Sequence, residues 1–260
     1  MSNDLTKVEK GEQLRIAREK LKGIGKSPTE LGKANRLKVL DLIYKWGCTS
    51  PSIVQNFLEI TKGGYLQKLS EQRLLKKVKT ESGNPQFIYT LTETGLADAE
   101  RHALTQIRYA EIDPYRINQQ LLRHNLLAQA ITVNSLMAGA IDDYLSERMI
   151  SIQDASGQKR VDAVWIKAGI HIGVEIELSK KWERDLDDFV LKIITAIQSE
   201  KYSQFIIFSD SPAIIAGYSS AMKAGSPLKI WKKDQKGFWK VEKIDVVPDW
   251  LLNKVSFQLI

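Results

Sequence analysis

The sequence predicts an α/β protein in two parts: an N-terminal unit of three helices and a two-stranded hairpin, then a C-terminal unit ordered αβββαβ around a mixed sheet. Three observations predict it. Between Asn35 and Leu74 apolar residues recur at helical spacing in three short runs. From Lys76 to Thr90 the pattern becomes two strand-like stretches about a turn. Beyond Pro114 a long apolar helix stripe gives way to three strand-like runs, a helix and a further strand.

Leu37, Leu40, Ile43 and Tyr44 form the first stripe, which stops at Gly47. Thr49-Ser50-Pro51 opens the second helix, with a capping-type residue ahead of a proline in the first turn, and Ile53, Val54, Phe57 and Leu58 follow. The third runs from about Lys62 to Leu74, with Leu66, Leu69, Arg73 and Leu74 inward. Two strands, 76–79 and 86–90, flank the turn Glu81-Ser82-Gly83-Asn84-Pro85, and Leu91-Thr92-Glu93-Thr94-Gly95 opens another helix. Three helices and a two-stranded wing make a winged helix-turn-helix. Ahead of it, Leu14, Ala17 and Leu21 among charges predict a basic helical arm, and Gly23, Gly25 and Pro28 a linker. The expected division is 1–33 arm and linker, 34–111 winged helix and 112–260 α/β domain with a C-terminal extension. Within the last, a helix is expected over 117–138, strands over 145–153, 161–166 and 170–178, a helix over 185–200, a strand over 205–209, a helix over 212–223, and strands over 228–231 and 238–244.

Composition narrows the class. Of 260 residues 43% are hydrophobic, which is ordinary for a folded chain. The lone cysteine, Cys48, excludes an intrachain disulfide and a cysteine-built zinc site, fits a reducing compartment, and reads as a small buried apolar residue. A charged opening and the lack of a long apolar run predict a cytoplasmic protein without membrane insertion. Residues 1–110 carry 19 Lys and Arg against 12 Asp and Glu, whereas residues 111–260 carry 19 of each. The whole excess of +7 therefore sits in the first part, as expected of a module that faces nucleic-acid phosphates. Within it, Lys62, Tyr65, Lys68 and Gln72 share the outward face of the third helix and suit a major groove, while Lys76, Lys77 and Lys79 of the wing suit phosphates.

Chemistry points to residues 160–178. Alternation sends Val174, Ile176 and Leu178 to one face of a strand and Glu175 and Glu177 to the other. A two-residue turn at Ala168-Gly169 sets Asp162 opposite Glu175, so three carboxylates are expected in one patch. Like charges opposed in a sheet cost about 0.2–1 kcal/mol, so the patch needs a cation, a basic neighbour or water. An all-oxygen set of this kind suits Mg2+ or Mn2+ rather than zinc.

The segment resembles the PD-(D/E)xK nuclease fold, a restriction-endonuclease-like αβββαβ core with acids on its second and third strands. Asp162 matches the aspartate and Glu175 the second acid, while Val161 stands at the proline and Glu177 at the lysine position. The resemblance extends over roughly residues 35–210. The winged helix ending in Leu91-Thr92-Glu93-Thr94-Gly95, Leu122-Arg123-His124-Asn125, Glu147, Val161-Asp162-Ala163, Val174-Glu175-Ile176-Glu177 and Lys192 follow one another as in the replication-relaxation family, nearest its MobC-type relaxases of mobilisable plasmids. The resemblance implies metal-dependent nicking of double-stranded plasmid DNA at a transfer origin, with an accessory mobilisation protein and a coupling protein as partners. It implies Asp162, Glu175 and Glu177 as metal ligands, His124 near the scissile phosphate, and Lys192 or Lys180 as the cation beside it, while Glu147 reads as a further ligand or an ordinary exposed acid. The nucleophile is open between water and a tyrosine, with Tyr109 and Tyr115 nearest the domain junction; His102 and His171 read as structural. The missing lysine leaves two other readings: a plasmid replication or transcription factor with an inactive nuclease fold, or a structural relaxosome component docking through a tail rich in Trp231, Trp239, Trp250 and Leu251.

Overall fold

The computed structural model describes residues 27–107, 110–150 and 160–260. The basic arm, Tyr109 and the end of the 145–153 strand lie outside the described residues.

The first helix, α1 (Pro28–Trp46), starts earlier than its apolar stripe suggests. Ser27 and Glu30 form a reciprocal cap, the Ser27 N–H donating to Glu30 Oε2 at 2.7 Å and the Glu30 N–H to Ser27 Oγ at 3.3 Å. Pro28, expected as a breaker, occupies the first turn, where its missing N–H costs nothing. Next come α2 (Pro51–Phe57), α3 (Tyr65–Glu71), the strands β1 (Leu75–Lys79) and β2 (Phe87–Leu91), and α4 (Glu93–His102). The third helix is shorter than expected. Gly64 enters it at φ 93° and Arg73 leaves it at φ 60°, so Lys62 precedes the helix and Arg73 is exposed rather than inward. Strands β1 and β2 pair antiparallel from Leu75↔Leu91 to Lys79↔Phe87. Thr92 caps α4 by accepting from the Gly95 N–H, and a Cβ on Gly95 would meet the Leu74 carbonyl at 2.0 Å, so this helix is held tight against the hairpin.

A 3-10 turn at Pro114–Arg116 leads to α5 (Leu122–Met137). It starts later than predicted because Asn118 Oδ1 takes the N–H groups of Gln120 and Leu121 in a turn. The remainder is β3 (Asp143–Ser146), α6 (Glu147–Ile150), β4 (Ala163–Lys167), β5 (Ile170–Ile176), α7 (Glu183–Gln198), β6 (Gln204–Ser209), α8 (Pro212–Ala221), β7 (Pro227–Lys233), β8 (Trp239–Val246), a 3-10 turn Leu251–Asn253 and β9 (Val255–Leu259). The protein is thus a mixed α/β structure with, among the described residues, eight α-helices, a five-stranded mixed sheet and two hairpins.

The sheet runs β3-β4-β5-β6-β9. The β3–β4 and β4–β5 pairs are antiparallel, while β5, β6 and β9 are parallel, with α7 making the crossover that the β5–β6 pair requires. One face packs Ala163, Trp165, Val174, Ile176 and Phe208 against Ala128 of α5. The other packs Val164, Phe205 and Ile207 against Phe189, Val190 and Ile193 of α7 and Tyr218 of α8. Both faces are therefore covered, as sheets with parallel strands require.

Two features are not visible in the sequence. The C-terminal stretch is not a free tail: Leu251 is fully buried, Trp231 donates to Asp187 at 2.8 Å, and β9 supplies a strand that sequence periodicity missed. The 34–111 and 112–260 regions also share one core, in which Leu122, Leu126 and Val133 of α5 join Ile43, Val54 and Leu66. Gln129 fastens the joint, accepting from the Thr49 hydroxyl at 2.9 Å and donating to the Cys48 carbonyl at 3.1 Å. Cys48 is buried as expected, and that burial pushes its thiol up to about 11. No helix among the described residues is long and apolar enough to cross a membrane.

Candidate functional site

Alternation along β5 directs Val174 and Ile176 into the α5 face, and Glu175 and Glu177 toward α7 and α8. Both glutamates are buried, at 4% and 6% exposure. Glu177 accepts from the Tyr218 hydroxyl at 2.7 Å, and the Lys181 ammonium stands 2.6 Å from each of its oxygens. Lys181 is itself placed over the Phe189 ring, 4.9 Å from its centre. Burial, and then the charge of Glu177, push the Tyr218 hydroxyl above its ordinary range, so it stays protonated and donates to Glu177.

Asp162 arrives differently. The hairpin register is the one expected, from Ala163↔Val174 to Lys167↔Ile170, with Ala168 and Gly169 turning at φ 49° and 78°. Asp162 nevertheless lies just before β4, and its N–H donates to the Val174 carbonyl at 3.0 Å, although Val174 is the ladder partner of Ala163. Two residues thus oppose one, and the expected pairing of Asp162 with Glu175 is not formed. The Asp162 carboxylate instead accepts from the Ile176 N–H at 2.7 Å and lies 3.2 Å from His124 Nε2 on α5. The hydrogen bond to Asp162 raises the His124 pKa to about 9 against the opposing effect of burial, so the ring is an imidazolium at neutral pH. The three acids accordingly do not share one face. Asp162 comes from the α5 side and the glutamates from the α7–α8 side, and they meet around the end of β5 in a cleft of about 530 Å³ completed by Arg123, His124, Arg160 and Lys181.

The repulsion expected of such a cluster is answered by basic neighbours, His124 for Asp162 and Lys181 for Glu177. As they stand, no three His, Cys, Asp or Glu side chains among the described residues form a metal-holding group.

The other predicted residues scatter. Glu147 is not on a strand; it is the exposed first residue of α6, in a separate recess of about 90 Å³ that also touches Asp162. Lys192 lies in another cleft, paired with Asp188 at 2.7 Å, and Lys180 is exposed and does not line the acid cleft. Tyr115 lies outside the acid cleft, 90% exposed, with the Lys76 ammonium 5.6 Å from its ring centre. His102 and His171 are also outside it. In the N-terminal unit Lys62, Lys68, Gln72, Lys76, Lys77 and Lys79 are exposed as expected, and none of the lysines is ion-paired among the described residues. Tyr65 departs from the expectation: it is half-buried against the core, which raises its hydroxyl pKa.

Sequence reading missed Lys181, Tyr218 and Arg160. Lys181 had a readable signal, four residues beyond Glu177. Tyr218 had none, because only the packing of α8 on β6 brings it to Glu177. Compared with known protein families, curated proteins and solved structures, the chain matches none.

Proposed function

We propose that the protein binds DNA through its N-terminal helices and hairpin, a winged helix-turn-helix, and cleaves a phosphodiester bond with a divalent ion at the acid cleft, as a plasmid relaxase of the nickase type. The single observation that carries this reading is the meeting of Asp162, Glu175 and Glu177 with Arg123, His124, Arg160 and Lys181 in one cleft at the end of β5. The donor types suit Mg2+ or Mn2+, three carboxylates and no thiol, and an ion held there would displace His124 from Asp162 and Lys181 from Glu177. Held by Asp162, Glu175 and Glu177, such an ion would supply Lewis-acid polarisation of the phosphate. Arg123 and Arg160 at the mouth of the cleft bind phosphate oxygens. Lys181 takes the role that spacing had offered to Lys192 or Lys180, stabilising charge that develops on the departing oxygen. His124 Nε2, 3.2 Å from the Asp162 carboxylate, positions that acid from the α5 side.

One observation favours a second reading, a DNA-binding replication, transcription or relaxosome protein without cleavage: His124 and Lys181 already neutralise two of the three acids. Incubating supercoiled plasmid bearing its own transfer origin with Mg2+ or Mn2+ separates the two. Open circles are expected from the parent and none from Asp162→Asn, while both bind the plasmid equally. Failure of the parent to nick, or nicking by Asp162→Asn at the parental rate, leaves the non-cleaving reading.

A further inference from the structure

The short segment between α4 and α5, residues 115–121, presents more apolar surface to solvent than its place in the chain requires. Tyr115 is 90% exposed and Leu121 51% exposed. The segment is not a loose linker. Lys76 of β1 stands over the Tyr115 ring at 5.6 Å, and the N–H of Glu81, in the turn of the hairpin, donates to Gln119 at 3.4 Å. The next residues, Gln120 and Leu121, line the acid cleft. The segment therefore links the hairpin to the acids: Tyr115 lies beside Lys76, Gln119 beside the turn, and Gln120 and Leu121 line the cleft. Cations flank it throughout: Lys76 and Lys79 at the hairpin, Arg116 beside Tyr115, and Arg123 and Arg160 at the cleft. Arg116 and Arg123 are carried by Glu111 and Asp210 respectively, exposed pairs that a phosphate can replace.

We infer that residues 115–121 are a stacking platform for unpaired DNA, leading one strand from the hairpin into the acid cleft. Bases inside a duplex already have both faces occupied, so an exposed ring among cations gains most from bases that are unstacked. The charge complements a phosphate backbone, and the segment adjoins the lysine-bearing hairpin. Tyr115 thus acts through its ring and not as a nucleophile.

This inference rests on the proposed DNA-binding reading, but its test is made independent of cleavage by working in EDTA. Fluorescence anisotropy with a labelled mixed-sequence single strand of about 20 nucleotides, and with the same sequence as a duplex, is measured for the parent, Tyr115→Ala and Tyr115→Phe. Tyr115→Ala should weaken single-strand binding by about tenfold or more while duplex binding changes by less than about twofold, and Tyr115→Phe should bind both like the parent. Such an exposed position leaves the fold intact, which thermal melting verifies. The inference is overturned if the parent does not bind the single strand, if Tyr115→Ala binds it as the parent does, or if single-strand and duplex binding fall together. Loss of single-strand binding in a protein that never nicks plasmid would retain the platform and sink the nuclease.

Discussion

Two clefts of the C-terminal half are built from the same residue types and differ in what covers them. The acid cleft joins Asp162, Glu175 and Glu177 to His124 and Lys181; the other, of about 300 Å³ beside α7 and β7, joins Asp185 and Asp188 to Arg184, Lys192 and Lys229. In the second, Lys192 and Asp188 are 44% and 55% exposed and Arg184 and Asp185 39% and 43% exposed, so water screens each pair and each is worth at most about 1 kcal/mol. In the first, Glu177 is 7% exposed at its side chain and its carboxylate has exchanged water for Lys181 and Tyr218. Removing one partner there strands a buried charge. Equal composition therefore gives solvated ion pairs in one place and a charge-balanced site in the other, and burial decides which.

The largest expected effect tests that distinction directly. Lys181→Met should lower stability by about 3 kcal/mol, because Glu177 keeps only the Tyr218 hydroxyl as donor. Adding Glu177→Gln should recover much of the loss, since the amide needs no counter-charge. Urea titration of both single variants and the double variant gives the coupling. A Lys181→Met loss below about 0.5 kcal/mol would place the pair with the solvated kind and dissolve the contrast.

A smaller effect follows from pH. The His124 pKa is raised to about 9 from 6.5 by Asp162, so the folded protein holds this proton more tightly than the unfolded chain. The resulting stability is complete below about pH 6.5 and is lost as pH rises toward 9. It amounts to roughly 1–3 kcal/mol across that window. Urea midpoints in EDTA should fall over this range for the parent, with the slope flattened in His124→Gln. An equal slope in both proteins would mean that another group carries it.

These contrasts also explain what could be read in the sequence. The order of helices and strands was legible because periodicity is local: the stripe Leu40, Ile43, Tyr44 and the register through Ala168-Gly169 both stand as expected. The three acids could be named because their spacing marks one strand pair. Their faces could not, since the Asp162 N–H bonds to Val174 rather than pairing across from Glu175, a displacement that depends on where β4 begins. Pro28 and Arg73 were misread for local reasons, one a helix start and the other a left-handed helix end. The strand β9 was missed because its neighbours are fixed only by the parallel sheet. Lys192 was placed beside the acids by the resemblance and by its position on the following helix, whereas the direction a helix presents each residue is set by packing.

Lys192 gives the smallest effect and the sharpest discrimination. It follows Asp188 by four residues on α7, acid toward the N-terminus, the favourable orientation for a helix-surface pair. Such a pair stabilises a helix by about 0.2–0.5 kcal/mol, and Lys192→Ala partly offsets its loss through the better helix propensity of alanine. The variant should therefore melt within about 1 °C of the parent, since even 1 kcal/mol shifts the melting temperature of a protein this large by only about 2–4 °C. Metal-dependent nicking by Lys192→Ala should equal that of the parent, because its ammonium lies in the cleft with Trp231 and Trp239 and not with the acids. A drop of about tenfold or more in nicking with unchanged melting would mean that DNA draws α7 round to present Lys192 to the phosphate, and the two clefts would then work as one.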